Sequence, residues 1–208
     1  MRLALWFLVL VSAAGLASPT AFAAPMGQAE VENFVKTVGE RVISLAGAYH
    51  QRHDARHRAA LEALLRKSFD LDGGTRFVLG RHWSEATAAQ RRELMSLLPN
   101  YALEVATRTL SSFKVNEVRN FIVVGSRPAG DTDRLVETSV QLGDGQPFVV
   151  GWRVREVDGE PKVVDAFVQG VSMAVTIRDA VDSVIARQGI DGLIAEVQAK
   201  LTQLQASK

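Results

Sequence analysis

The strongest constraint on how this chain folds is the stretch Val163–Arg178, in which a strand runs into a helix through a Gly-x-Ser corner. The run Val163–Val168 is rich in β-branched residues and predicts a strand. Gly170 ends this run, and Ser172 is placed to cap a helix that begins near Met173. A strand and a helix joined this tightly belong to two layers, so the other apolar segments must pack around the corner.

The remaining hydrophobic pattern changes from a helical period to a strand period after Ser112. Helices are predicted over residues 28–49, 58–67, 75–79, 87–110, 173–188 and 192–204, with strands at 113–124, 134–142, 146–157 and 163–168. This order predicts an α+β fold in which helices pack on one face of a four-stranded antiparallel sheet.

Several local signals define the ends of these elements. Thr87-x-x-Gln90 has the pattern of a capping box, and Asp158-Gly159 is typical of a tight hairpin turn. Gly189 is placed to end one helix before the next begins. The stretch 72–74, Asp-Gly-Gly, is interpreted as a break between helices, and Pro99 is expected to kink the long helix that contains it.

The first residues predict a secretory signal peptide over 1–23. An apolar run follows Arg2, and Ala21-Phe22-Ala23 is a cleavage site with small residues at its two key positions. The predicted mature chain, 24–208, is a single secreted domain. The sequence has 24 Lys and Arg against 23 Asp and Glu, and loss of Arg2 makes the two equal. This balance argues against a nucleic-acid partner.

Two patterns raise the possibility of catalysis. Ser172 lies in a strand-turn-helix context like that of a hydrolase nucleophile, but every histidine precedes it in the chain, so we interpret Ser172 as a helix cap. His53 and His57 have the spacing of two zinc ligands on one helical turn. Nearby arginines would repel a divalent cation, and we predict a solvated helix end without a metal site.

Asp165 and Arg178 are the charged residues of interest at the corner. A carboxylate in an apolar strand needs a partner if it is buried, and an arginine supplies a bidentate one. We predict a structural ion pair between Asp165 and Arg178, with direct contact to the head group of a ligand as the alternative.

Three blocks of sequence, taken in order, carry a family resemblance. They are Phe69-Asp70 with Phe77–Trp83, Gln90-Arg91 and Tyr101; Val163–Asp165 with Gly170, Ser172 and Arg178; and Gly189–Leu193. Together they resemble the MlaC-type periplasmic phospholipid-binding proteins, the toluene-tolerance family. The chain departs from the family pattern at Pro161, Gln169 and Ile177, where Trp, Glu and an aromatic residue are usual.

The resemblance implies a non-enzymatic carrier that holds phospholipid acyl chains in an apolar cavity between the sheet and the helices. It would carry phospholipid between the outer and inner membranes and so maintain outer-membrane lipid asymmetry. The implied partners are an inner-membrane ABC transporter complex with an MCE-domain component and an outer-membrane lipoprotein–porin complex. No cofactor is implied, since the phospholipid is cargo. The expected lipid-binding residues are Phe77, Trp83, Leu98, Tyr101, Ala102, Val105, Val150, Trp152, Phe167, Met173, Val175 and Ile177, and the expected structural corner is Asp165, Gly170, Ser172 and Arg178.

Other functions remain open from the sequence. The cargo could be another lipid such as a hopanoid, or the protein could be an adaptor with a filled core. A serine hydrolase at Ser172 and a zinc site at His53 and His57 are the enzymatic alternatives.

Overall fold

The structure, a computed structural model, describes residues 26–52, 54–112 and 118–206. The predicted signal peptide, His53 and the beginning of the first predicted strand, residues 113–117, lie outside the described residues.

Five helices precede the sheet. They are α1 (Gln28–Arg52), α2 (Ala55–Ser68), α3 (Leu71–Leu79), α4 (His82–Glu85) and α5 (Ala88–Ser112). Four of them correspond to predicted helices, whereas the short α4 was not predicted. The predicted capping box is present at the start of α5. Thr87 N–H donates to Gln90 Oε1 at 2.9 Å, and Gln90 N–H donates to Thr87 Oγ1 at 3.2 Å. The helix α5 runs through Pro99.

The third helix corrects one prediction. It begins at Leu71 rather than Thr75, so residues 72–74 are helical and do not form a break. Asp70 explains the difference, because its Oδ1 accepts a hydrogen bond from Gly73 N–H at 2.9 Å. A capping carboxylate stabilises the first turn, where glycine would otherwise weaken the helix.

The sheet has five strands in the order β1 (Val118–Pro128), β2 (Asp133–Leu142), β3 (Phe148–Val157), β4 (Glu160–Val168) and β5 (Val171–Ser172). All neighbouring strands are antiparallel. The prediction of four strands is therefore wrong. The short β5 folds back on β4, where Val168 pairs with Val171 and Phe167 pairs with Ser172.

Two tight turns set this part of the sheet. Asp158 and Gly159 have φ of 53° and 78°, as the predicted hairpin between β3 and β4 requires. Gln169 and Gly170 have φ of 52° and 82° and join β4 to β5 in the same manner. The second turn converts the end of the predicted strand into a hairpin and so creates β5.

Helices cover one face of the sheet, as predicted. A group of buried side chains on this covered face, the sheet cluster, joins β2 and β3 to α1 and the residues just before α1. Its members are Met26, Val31, Val35, Val136 and Val154. Side chains alternate between faces along a strand. Ile122 and Val149 lie on the opposite, open face and are 56% and 51% exposed.

The last helix, α6 (Met173–Ala206), begins at the predicted residue and contains the predicted break. Gly189 has φ 71° and ψ −179°, which separates two helical segments. The first segment follows directly from β5, so the strand-to-helix corner exists as the sequence indicates.

Most of the buried apolar residues fall into three clusters. Besides the sheet cluster there is an α5–α6 cluster, made of Leu79, Leu94, Leu98, Val181, Ile185, Leu193, Ile194 and Val197. An α1–α2 cluster contains Ala46, Leu61, Leu65 and Leu103. Most domains of this size have one contiguous core. Here α5 contributes buried residues to the α5–α6 cluster and the α1–α2 cluster, and α1 contributes to the sheet cluster and the α1–α2 cluster. The sheet cluster shares no buried residue with the other two clusters.

Candidate functional site

The corner between β4 and α6 is held by a carboxylate on the helix N-terminus. Asp165 Oδ2 accepts a hydrogen bond from Ser172 Oγ–H at 2.6 Å, and Asp165 Oδ1 accepts one from Ala174 N–H at 2.9 Å. Ser172 Oγ in turn accepts from Val175 N–H at 3.0 Å. These bonds satisfy N–H groups that the first turn of a helix leaves unpaired. The predicted helix-capping role of Ser172 is confirmed.

The predicted ion pair between Asp165 and Arg178 is wrong. The Arg178 guanidinium instead lies over the ring of Phe77, 5.4 Å from its centroid. It also borders Gly80, where the Cβ of any larger residue would lie 2.9 Å from an Arg178 nitrogen. Arg178 therefore packs α6 against α3, while Asp165 finds its donors at the helix start.

Three of the predicted lipid-binding residues belong to the α5–α6 cluster. Leu98 is buried within it, and Trp83 and Tyr101 pack against it. The guanidinium groups of Arg76 and Arg91 each lie over the indole of Trp83, 5.5 Å from its centroid. These three predicted lipid-binding residues therefore belong to an ordinary packed core, and two arginine side chains cover its tryptophan.

The sheet supplies two more of the predicted residues to the covered face. Val150 is 8% exposed, and Trp152 packs against the sheet cluster. The indole N–H of Trp152 donates to Thr138 Oγ1 at 2.9 Å, so its polar atom is satisfied within the sheet. Both side chains face the helices.

Phe167 does not lie with them. It pairs with Gly151, and a Cβ built on Gly151 would lie 3.2 Å from Phe167. Gly151 alternates with Val150 and Trp152 along β3, so Phe167 belongs to the open face. A bulge between Arg153 and Val154 shifts the β3–β4 register.

The other predicted residues are only partly covered. Met173, the first residue of α6, is half-buried, and Ala102 is exposed. Phe77, Val105, Val175 and Ile177 are between 38% and 51% exposed. The helices that carry these residues, α3, α5 and α6, also contribute buried residues to the α5–α6 cluster. Large apolar side chains left outside a core mark candidate surfaces for an apolar ligand or partner.

Two further apolar residues join this set, and sequence reasoning missed them. Val168 and Val171 are 39% and 55% exposed and pair with each other across β4 and β5. Val168 also pairs with Val150. The three valines therefore form one row across the sheet, on the covered face. The sequence pattern that could have identified them is one valine on each side of Gln169-Gly170, because a two-residue hairpin turn places its flanking residues opposite each other.

Neither of two pockets lined by described residues matches the predicted enclosed apolar cavity. The pocket nearest the corner has a volume of about 70 Å³ and is lined by Val78, Leu79, Gly80, Arg81, Arg178 and Asp182. A second, open pocket is lined by Arg52, Asp54, Ala55, Arg56 and His57. Apolar side chains pack closely wherever they can, because unfilled apolar volume forfeits contacts. The predicted lining is accordingly divided between buried clusters and exposed positions.

A buried histidine connects α4 to α6 beside the first pocket. His82 Nδ1 lies 2.6 Å from Glu85 Oε2, and His82 Nε2 lies 2.8 Å from Asp182 Oδ1. Arg81 adds a bond to the same Asp182 oxygen at 2.9 Å. The hydrogen bond to Asp182 is the main cause of a raised pKa for His82, and the same bond lowers the pKa of Asp182. The imidazole is thus favoured in its protonated, doubly donating form.

The candidate zinc site has another explanation in the structure. Asp54 caps α2, since its Oδ1 accepts from the N–H groups of Arg56 and His57 at 3.0 Å each. His57 Nδ1 lies 2.6 Å from Asp54 Oδ2. His53 is outside the described residues, and within the described ranges no group of three metal-ligating side chains comes together.

The candidate serine nucleophile is likewise accounted for as a cap. The hydrogen-bond partners of Ser172 Oγ are Asp165 and the backbone of Val175. Neither is a histidine that could accept the hydroxyl proton, as the hydrolase arrangement requires.

Comparison with known proteins gives the family. The MlaC protein family matches residues 36–199. The chain belongs to the MlaC family. The MlaC match extends from within α1 to the second segment of α6, so it includes the corner, the sheet, the α5–α6 cluster and the α1–α2 cluster. Of the sheet cluster it includes Val136 and Val154.

A solved structure supports the same fold. The phospholipid-binding protein of Ralstonia solanacearum, determined in complex with a phospholipid, has a TM-score of 0.67 to this chain at 22% sequence identity. The similarity covers 84% of this chain and 98% of the Ralstonia chain. The α+β arrangement described above is therefore the MlaC fold. Among the described residues, no helix is both long and apolar enough to cross a membrane.

Proposed function

We propose that the protein is a periplasmic phospholipid carrier. The observation that carries this proposal is its membership of the MlaC family over most of the described chain. The fold similarity to a protein determined with a bound phospholipid supports it. So do the large apolar side chains left exposed on α3, α5 and α6, because each acyl CH₂ removed from water contributes about 0.8 kcal/mol.

The acyl chains would occupy the region between α5, the first turns of α6 and the covered face of the sheet. We assign to this region the exposed Ala102, Val105, Val175 and Ile177, together with Phe77 from α3 and the valine row formed by Val150, Val168 and Val171. Trp152 and Met173 border it. Phe167, on the open face, is not included. Binding would require the helices to separate from the sheet, and a core divided into three clusters is suited to this movement.

Transport would be an equilibrium exchange between apolar sites. A chain of many CH₂ groups cannot cross an aqueous compartment exposed, and for the same reason it leaves a carrier only for another apolar site. We therefore propose that the partners are an inner-membrane ABC transporter complex with an MCE-domain component and an outer-membrane lipoprotein–porin complex. No catalytic step is needed for this exchange, and the carrier would contribute to outer-membrane lipid asymmetry.

The test is to purify the full chain from the periplasm of the producing cells and analyse bound molecules by native mass spectrometry and lipid extraction. We expect phospholipid in an amount comparable to that of the protein. Recovery of a hopanoid instead would show that the protein carries a lipid other than a phospholipid. Protein that is lipid-free after purification, and stays lipid-free when mixed with phospholipid in detergent micelles, would favour an adaptor with a filled core.

A further inference from the structure

We propose that Arg178 binds the phosphate group of the cargo lipid in the pocket between α3 and α6. This inference rests on the proposed function, since it assigns the polar end of the same ligand.

The guanidinium of Arg178 has an aromatic contact, and its charge acts on the carboxylate of Asp182 only from beyond ion-pair distance. It stacks over Phe77 at 5.4 Å and borders Gly80. Asp165, the partner predicted from the sequence, is occupied by Ser172 and by the N-terminus of α6. In the described part of the chain, no carboxylate oxygen lies within ion-pair distance of Arg178. A fixed, planar fork with free N–H donors is the group that binds phosphate in a bidentate manner.

The one carboxylate lining this pocket is already neutralised. Asp182 accepts hydrogen bonds from Arg81 and His82 at 2.9 Å and 2.8 Å. Arg81, Arg178 and the protonated His82 carry three positive charges against the two negative charges of Asp182 and Glu85, which leaves a surplus of one positive charge. A phosphodiester carries the single negative charge that would balance it.

The pocket also has a suitable size and approach. Its volume is about 70 Å³, and Gly80 provides part of the space because no Cβ projects toward the guanidinium. Gly80 has φ 50°, a conformation that favours glycine.

The positive charge of Arg178 lies beside exposed apolar side chains, an arrangement that matches the charged phosphate and apolar chains of a phospholipid. Arg178 follows Ile177 in the sequence and lies over Phe77, and these apolar side chains are 51% and 42% exposed. Val175, one turn before Arg178 on α6, is 46% exposed. An acyl chain in contact with these residues would bring its phosphate within reach of the guanidinium.

The experiment compares two dioleoyl lipids, one with a phosphoglycerol head group and one without it. The delipidated full chain is mixed with dioleoylphosphatidylglycerol or dioleoylglycerol in dodecylmaltoside micelles, and bound lipid is measured by mass spectrometry. We expect the wild-type protein to prefer the phospholipid by about tenfold or more, in line with charge-assisted hydrogen bonds. Arg178→Gln should abolish this preference by lowering phospholipid binding while leaving dioleoylglycerol binding unchanged. Arg178→Lys should retain part of it.

Arg187→Gln is the matched control. Arg187 is also exposed on α6, where it donates a hydrogen bond to Ser183. It should keep the full preference. An unchanged preference in Arg178→Gln, or an equal loss of both lipids with an earlier unfolding transition, would overturn the assignment and leave Arg178 a packing residue. Binding of inorganic phosphate in calorimetry, without any lipid preference, would show a free-phosphate site and also overturn it.

The same experiment distinguishes failure of the proposed carrier function from failure of the role assigned to Arg178. If the wild-type protein binds neither lipid, the carrier function is lost together with the assignment of Arg178. If it binds both equally well, the carrier function stands and only the role of Arg178 is overturned.

Discussion

The carboxylate of Asp165 accepts a 2.6 Å hydrogen bond from the hydroxyl of Ser172 and so joins the last long strand to the final helix. Both side chains are half-buried, and both also bond backbone N–H groups of the first turn of α6. The two residues act as one cap. The corner is therefore a rigid element from which α6 projects toward α3.

Replacement of Ser172 tests this cap. We expect Ser172→Ala to lower the free energy of unfolding by about 0.5–2 kcal/mol, because Val175 N–H loses its acceptor. Bound phospholipid should stay close to the wild-type amount. Urea unfolding and lipid extraction measure the two effects, with the exposed mid-helix Ser183→Ala as control. A Ser172→Ala protein of wild-type stability that carries no lipid would contradict the structural role.

The His82 bridge predicts a pH dependence of stability. Its pKa is raised above the ordinary value, so the stability that protonation contributes is complete below about pH 6.5 and is lost as the pH rises through the raised pKa. Asp182 has a lowered pKa, and its contribution is lost only as the pH falls through that lowered value. The charged groups that act on His82 are Glu85 and Asp182, which raise its pKa, and Arg81, whose positive charge opposes that rise.

His82→Gln removes the titration and keeps a donor near Asp182. We expect the difference in unfolding free energy between wild type and His82→Gln to be larger at about pH 5.5 than at about pH 8.5. Chemical denaturation at both pH values measures it. Asp182→Asn, which removes the carboxylate instead, should reduce the difference at low pH. A difference that is the same at both pH values would contradict a protonated His82.

Tryptophan substitutions test the proposed acyl-chain region. Ala102 and Val175 are exposed on α5 and α6, so Ala102→Trp or Val175→Trp should change the stability of the lipid-free protein by no more than about 0.5 kcal/mol. A larger side chain there would take space from the acyl chain, and bound phospholipid should fall. Ala195→Trp, at an exposed position in the second segment of α6, is the control and should keep its lipid. Equal occupancy in all three variants would place the cargo elsewhere.

Gly80 tests how closely α3 and α6 approach. Gly80 has a positive φ, and a Cβ at this position would meet the Arg178 guanidinium at 2.9 Å. We expect Gly80→Ala to destabilise the fold by about 1–3 kcal/mol. Gly74→Ala is the matched control, because Gly74 lies inside α3 with open space at its Cβ position. It should be neutral or stabilising, by up to about 1 kcal/mol. Thermal or urea unfolding distinguishes the two, and equal effects would contradict the close contact.

Local sequence determined much of the fold. The capping box at Thr87 and Gln90, the hairpin turn at Asp158 and Gly159, and the helix start at Met173 all lie where the sequence predicts them. Each depends on hydrogen bonds or backbone conformations within a few residues, so a short stretch of sequence contains all the information. The family resemblance rested on the same local motifs, and the match over residues 36–199 confirms it.

Only the tertiary structure decided the partners of the corner. The sequence offers Asp165 both an arginine and a helix N-terminus, and the choice depends on how α6 packs against α3, whose residues are distant in the chain. The face on which Phe167 lies depends on the β3–β4 register, which a bulge shifts. Hydrophobic periodicity identifies apolar side chains but not their neighbours. Which of them fill a core and which remain exposed is set by packing among α3, α5, α6 and the sheet, because close packing is a property of several elements at once.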